Sequence, residues 1–282
     1  MLFEDPISVQ EIPRFSAEET SLARNFLDKN GFVVFSSAFD LDAGLKFWSD
    51  VETGIASGAP LTFSQFGKLY TNPNVPEHVR GLPRIIDVED HVPAVYDLML
   101  CSTVRDFLAE VYGEAPTCLQ TLTYKYSSEQ GAHSDKTLVS PPSAINYDRE
   151  SLTAAWFALE RSDQKNGALI VYPGSHRLPK RGFTEGFSEY GAYMSYLDGL
   201  CRAHGSMPAV FMAEPGEILI WASDFVHAGG PIASDSAKTP TRKSLVCHYA
   251  RIPSWQRSLD PAYERVPFAG ASFYRKVKRD DA

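Results

Sequence analysis

His133 and Asp135 stand one residue apart in Gly131-Ala132-His133-Ser134-Asp135, and His227 closes Trp221-Ala222-Ser223-Asp224-Phe225-Val226-His227 far downstream. Two imidazoles and one carboxylate can hold one face of a six-coordinate iron(II) and leave the other positions to substrates and dioxygen. Such a set points to oxidative chemistry. On a β-strand, residues two apart point to the same side, so His133 and Asp135 can reach one ion together. Taken alone the spacing is weak evidence, because the chain holds seven histidines and 35 acidic residues. A lone histidine is more often a hydrogen-bonded structural residue than a ligand.

A chain of 282 residues, 44% hydrophobic and 12% aromatic, is long enough to bury one large core and reads as one domain over residues 1–282. A net charge of -8 and the lack of a long Lys/Arg block argue against a nucleic-acid or anionic-membrane surface. The dense basic run Arg275-Lys276-Val277-Lys278-Arg279 is followed by Asp280-Asp281 and reads as a solvated tail. The N-terminus has neither a basic start nor an apolar stretch, and no apolar run approaches membrane-spanning length. A soluble, cytoplasmic protein is expected, with no membrane or nucleic-acid partner; the oligomeric state is not legible. Cys101, Cys118, Cys201 and Cys247 lie far apart, which suggests reduced, buried thiols and no zinc knuckle.

The elements that must position these residues divide into two regions. Ser16-Ala17-Glu18-Glu19 has the form of a capping box, Leu22, Ala23, Phe26 and Leu27 recur at helical spacing, and Asn30-Gly31 supplies a stop. A strand, Phe32-Val33-Val34-Phe35, follows. Further helices are expected from Leu41 to about Ile55 and from Ala94 to Val111. From Thr117 onward the pattern is of strands: Cys118–Tyr126, Leu152–Leu159, Ala168–Tyr172, Ile218–Trp221 and Ser244–Tyr249, bounded by Gly, Pro, Asp or Ser turns. Helices first and strands later predict a mainly β, α+β protein: N-terminal helical support over about residues 1–116, a jelly-roll core over about 117–250 and a C-terminal extension over 251–282. Pro179–Met207 reads as a long insertion with a short helix, of the kind that forms a lid.

Three further segments, in order, accompany the ligand set: Thr153-Ala154-Ala155-Trp156-Phe157-Ala158-Leu159-Glu160 with Asn166-Gly167-Ala168-Leu169 and Pro173-Gly174-Ser175-His176; Glu214-Pro215-Gly216-Glu217 leading through Trp221 to His227; and Arg242-Lys243-Ser244. Together with His133-Ser134-Asp135 they resemble the phytanoyl-CoA dioxygenase family of iron(II)- and 2-oxoglutarate-dependent oxygenases, over about residues 16–250. The resemblance implies a double-stranded β-helix, a cupin-like jelly-roll barrel, with Fe(II) held by His133, Asp135 and His227 at one open end. It also implies 2-oxoglutarate and O2 as cosubstrates and a small-molecule substrate hydroxylated with release of succinate and CO2.

Arg242 offers a planar, permanently charged, bidentate partner for the distal carboxylate of 2-oxoglutarate. Ser244 shares its strand face and can add a hydrogen bond. By the same resemblance Lys125 and Thr121, four residues apart on one face of the strand before His133, are expected to contact the cosubstrate. Gln120 falls on the opposite face unless a bulge intervenes. Trp156 can pack against the cosubstrate or simply fill the core. The turn at His176 is expected to be structural, and His248 is expected to be a hydrogen-bonded core or pocket histidine. Related halogenases lack the carboxylate that Asp135 supplies, so hydroxylation, or a desaturating or ring-forming variant, is the implied reaction. A cupin-like metal barrel acting without oxygen, as an isomerase or binding module, is the alternative. The Leu61–Tyr70 segment, the Leu138–Arg149 loop and the Pro179–Met207 insertion are expected to shape the substrate site, with Phe63, Phe66 and Tyr70 sheltering an apolar body.

Overall fold

In the computed structural model, which describes residues 11–65, 68–72, 74–75, 84–136, 152–233, 239–251 and 261–277, the chain enters helix α1 (Thr20–Asn30) through a turn. There the Ser16 N–H donates to Glu19 Oε2 at 2.8 Å. Gly31 ends α1 with φ +84°, and a Cβ there would lie 2.5 Å from His176 Nδ1. Only glycine therefore turns the corner into strand β1 (Phe32–Phe35). Helix α2 (Leu41–Ser57) starts at Asp40, whose carboxylate accepts from the Asp42 N–H.

Three short strands then form a hairpin and its neighbour: β2 (Thr62–Gln65), β3 (Lys68–Thr71) and β4 (Arg84–Ile86). The helix expected over 94–111 is instead two, α3 (Tyr96–Met99) and α4 (Ser102–Tyr112). At the break the Tyr249 hydroxyl donates to the Met99 carbonyl at 2.5 Å, taking an acceptor that a continuous helix would have used internally.

The remaining strands are β5 (Thr117–Tyr124), β6 (Leu152–Ala158), β7 (Leu169–Val171), β8 (Ala209–Phe211), β9 (Ile218–Ala222), β10 (His227–Gly229), β11 (Ser244–Ala250), β12 (Tyr263–Phe268) and β13 (Ala271–Lys276). Helix α5 (Tyr190–Ala203) occupies the expected insertion. The larger sheet runs β1-β9-β6-β11-β5-β4-β2-β3, antiparallel throughout this path, and the smaller runs β10-β7-β8. The two sheets face one another as the halves of a jelly roll. The basic run expected as a tail begins inside β13, where Arg275 pairs with Glu264 at 2.7 Å, and β13 adds in parallel to β5.

Strand alternation divides the core in two. One face of the large sheet, with Val33, Ile220, Ala155, Cys247 and Phe157, packs on Leu27, Phe47, Val51, Val104 and Phe107 of the helices. The other, with Val34, Leu219, Trp156, Val246 and Leu122, packs on Val171 and Phe211 of the small sheet. Fully burying each large apolar side chain contributes about 1.5–3 kcal/mol, so both faces of these strands are committed. Runs such as Leu152–Ala158, buried at every position, follow from that.

Candidate active site

His133 forms an isolated antiparallel bridge with His227, the first residue of β10. The two backbones exchange hydrogen bonds of 3.0 Å each way. Asp135 then begins a helical turn. The convergence expected from strand alternation thus has another cause: the bridge presents His133, and the turn swings Asp135 back beside it.

One ligand atom from each of His133, Asp135 and His227 lies within 4.8 Å of the other two, and all three residues are buried. His133 Nδ1 sits 2.8 Å from the Gly131 carbonyl and His227 Nδ1 3.4 Å from that of Phe225. Those contacts fix each ring as an Nδ1–H donor and leave Nε2 toward the shared point. Asp135 divides its oxygens: Oδ2 accepts from Trp221 Nε1 at 2.7 Å and lies 3.5 Å from His248 Nε2, while Oδ1 faces His227 Nε2 at 4.0 Å. Burial, with His227 next, lowers the His133 pKa to about 3. Burial pushes the Asp135 carboxyl up, but His227, His248 and His133 outweigh it and hold it below the usual carboxylate range. Neutral imidazoles beside an ionised carboxylate are the donor set that a divalent iron takes.

The strand registers define the wall behind this cluster. Arg84, Tyr124, Ser244 and Ala158 lie in one cross-strand row over β4, β5, β11 and β6. Ile86, Leu122, Val246 and Trp156 make the next row, and Gln120, His248, Ala154 and Trp221 the one nearest Asp135. All face the jelly-roll interior.

Arg242, just before β11, is buried; its Nη1 donates to the Gly167 carbonyl at 2.5 Å and its guanidinium lies 5.8 Å from the Trp156 ring centroid. Burial lowers its pKa to about 10, still far above neutrality. Arg242 Nε, Ser244 Oγ and Trp156 Nε1 are buried with no hydrogen-bond partner. Orphaned buried donors are costly. Three of them in one interior, one on a cation, fit a guest that brings acceptor oxygens and negative charge, as the distal carboxylate of 2-oxoglutarate does. Asn166-Gly167 is built to serve this pocket: Gly167 has φ +79°, and a Cβ there would lie 2.5 Å from Ser127 Cβ and 2.6 Å from the Gly230 carbonyl.

Two expected contacts are corrected. Thr121 pairs with Cys247 on the helical side of the sheet, where its hydroxyl donates to Glu89 and accepts from the Val88 N–H. Lys125 lies past the end of β5 and is exposed, its ammonium 5.9 Å from the Tyr126 ring centroid. The parity of β5 was misassigned: the interior residues are Gln120, Leu122 and Tyr124. The unbroken register from Ser244 to His248 sets Gln120 opposite His248, Nε2 to Nδ1 at 3.1 Å, and the register shifts only at Tyr249. Gln120, Tyr124, Trp221 and Arg84 are therefore site residues that sequence reasoning did not select, while His248 is the pocket histidine it expected. The parity that His248 shares with Ser244 was the signal that pointed to it.

His176 is structural, with Nε2 3.1 Å from the Asp28 carbonyl. Phe63 and Tyr70 pack in the helical core, away from the substrate side; Phe66 and the 138–149 loop lie outside the described residues. Helix α5 packs Tyr193, Leu197 and Cys201 on Ala132, Val226 and Ala228, the neighbours of both ligand histidines. The insertion is thus a cover over the metal-ligand segments.

Fold and site together define a jelly-roll protein in whose interior two buried histidines and a carboxylate converge, with a buried arginine behind them. The family model for phytanoyl-CoA dioxygenase matches residues 70–239, and the chain belongs to that family. A probable phytanoyl-CoA dioxygenase of Caenorhabditis elegans is 29% identical over 105 residues, which span 35% of this chain and 30% of that relative. A non-heme alpha ketoglutarate dependent carbocyclase, SnoK from nogalamycin biosynthesis, superposes with a TM-score of 0.62 at 16% identity, covering 84% of this chain and 87% of its own. EctD from S. alaskensis, crystallised with 2-oxoglutarate and 5-hydroxyectoine, gives 0.61 at 18% identity, covering 88% and 81%. Among the described residues no helix is long and apolar enough to cross a membrane.

Proposed function

We propose that this protein is an iron(II)- and 2-oxoglutarate-dependent dioxygenase that hydroxylates an unactivated C–H bond of a small metabolite, releasing succinate and CO2, in the cytoplasm and as a single domain. The observation that carries the reading is the pairing of the His133, Asp135 and His227 cluster with the orphaned donors of Arg242, Ser244 and Trp156 in one interior. A metal barrel acting without 2-oxoglutarate has no use for the second set.

Bound iron with its keto acid and dioxygen would supply the oxidising power that protein side chains lack. The chain's own part is positional. His133 and His227 present Nε2 because backbone carbonyls hold Nδ1, and Asp135 presents Oδ1 because Trp221 holds Oδ2. Arg242 and Ser244 fix the far carboxylate of the keto acid, so its other end reaches the ligand cluster in one orientation. Trp156, Leu122 and Val246 line the space between and exclude water.

The test is anaerobic addition of iron(II) and 2-oxoglutarate to the protein, followed by visible spectroscopy and by succinate assays over a substrate panel. The weak charge-transfer band of the chelate, substrate-stimulated succinate and a product heavier by one oxygen are expected. An iron-loaded protein without the band would favour the oxygen-independent barrel.

A further inference from the structure

We infer that Arg84 is a substrate-binding residue and that the substrate is an anionic small molecule, bearing a carboxylate or phosphate at one end and the carbon to be oxidised at the other. This rests on the oxygenase reading above, and it names a site for the substrate distinct from the Arg242 pocket.

Arg84 opens β4, and its register with Tyr124, together with that of Ile86 with Leu122, sets its side chain toward the interior; the intervening Ile85 packs in the helical core instead. Ser64 of β2 pairs with it on the other side and is itself buried. The side chain is half-buried and stands beside its cross-strand partner Tyr124. Tyr124 raises its pKa most, burial opposes this, and Tyr190 and Asp135 add smaller raising interactions. Among the described residues Arg84 has no carboxylate at ion-pair distance. Asp135 acts on it only through space, because Trp221 and His248 occupy one oxygen and the other faces His227.

A guanidinium has five donors and is always charged. A neutral phenol as its neighbour leaves that capacity unused in a partly desolvated place, so an anion is the complement that it lacks. The surroundings fit one. Tyr190 begins α5, and its hydroxyl accepts from Gln130 Nε2 at 2.9 Å, in the loop three residues before His133. Thus Arg84 and Tyr124 on the wall, Tyr190 on the cover and Gln130 on the loop leading to His133 stand on the same side as the ligand cluster. Arg84 and Ser244 are two strands apart in their row, about 10 Å between backbones at the usual strand spacing. Two cationic sites flanking Tyr124 can therefore hold two different anions.

The experiment uses the wild-type protein and R84Q and R84K, each loaded anaerobically with iron(II) and saturating 2-oxoglutarate. The probes are 4-fluorobenzoate, 4-fluorophenyl phosphate and the neutral 4-fluorobenzamide, followed by fluorine NMR, with the charge-transfer band recorded in parallel. At least one anionic probe is expected to bind wild type at least tenfold more tightly than R84Q, with R84K between them and the band unchanged in all three. Whichever anionic probe responds identifies the carboxylate or the phosphate class. Equal anion affinity in wild type and R84Q, or equal binding of the neutral probe and the anions, overturns the inference. Loss of the band in R84Q also overturns it, because Arg84 would then serve the cosubstrate. Should R84Q fail to fold, R84K carries the same comparison. Arg84-dependent anion binding without any band in wild type would refute the oxygenase reading and leave the anion site standing.

Discussion

Ser244→Ala tests the cosubstrate pocket with little disturbance, since Ser244 Oγ is buried and has no partner to lose. A hydrogen bond to a charged group is worth about 1.5–3 kcal/mol. At 1.4 kcal/mol per tenfold, its loss should weaken 2-oxoglutarate binding by about 10- to 150-fold. Arg242→Lys keeps the charge but loses the paired donors, and should fall in the same range.

The effect is also readable as heat stability. Ligand at 100 times its Kd stabilises the wild-type protein by about 2.7 kcal/mol, a rise of about 5–11 °C at about 2–4 °C per kcal/mol for a chain of this size. At the same concentration S244A should gain only about 0.3–1.4 kcal/mol. Titration of the anaerobic chelate band gives Kd, and differential scanning fluorimetry with manganese(II) in place of iron gives the Tm shift. Metal affinity without 2-oxoglutarate should not change, because Ser244 is two rows away from His248 and Asp135. Superimposable titrations for wild type, S244A and R242K would refute the assignment of this pocket.

Trp221→Phe removes the 2.7 Å bond to Asp135 Oδ2 and should lower metal affinity about 10- to 100-fold, measured by competition with a chromophoric chelator. Thr121→Val takes the hydroxyl from the buried Glu89 carboxylate and should cost about 1–3 kcal/mol of stability in urea melts, while 2-oxoglutarate affinity stays at the wild-type value; a weakened affinity would restore Thr121 to the pocket. Gly167→Ala forces a Cβ into Ser127 and the Gly230 carbonyl at φ +79°; backbone strain alone should cost about 1–3 kcal/mol, and 2-oxoglutarate should bind more weakly because the Gly167 carbonyl no longer positions Arg242. Tyr112→Phe breaks buried hydroxyl bonds to Thr153 and the Tyr249 carbonyl on the helical side of the sheet; the melting midpoint should drop while both Kd values hold.

Much of this molecule was legible residue by residue. Apolar runs bounded by Gly and Pro marked the strands, and Gly31 and Gly113, both at positive φ, marked helix ends. The ordered set from His133 to Ser244 singled out the residues that the fold gathers into one cluster and the buried arginine proposed to hold the cosubstrate. What escaped was set by long-range register. Strand β5 has polar residues on both faces, Thr121 and Thr123 on one and Gln120 and Tyr124 on the other, so no local pattern tells which enters the barrel. The pairing of Tyr124 with Ser244 decides it. Strands β2 and β4 are four and three residues long, too short for a periodic signal, and Arg84 was hidden with them. His133 and Asp135 were matched to an ion for the right residue types but by the wrong local geometry, because a single bridge followed by a turn leaves no trace in spacing.

The two-sidedness of β6 and β11 constrains how this scaffold can diverge. Every residue on these strands answers either to the jelly-roll interior or to the helices, so remodelling the proposed keto-acid grip would unsettle the support layer behind it. The α5 cover, packed on one side only, carries no such double duty. On the proposed reading, divergence toward new substrates is therefore channelled to that cover, where exchanging a few side chains changes what is presented while the ligand cluster is kept.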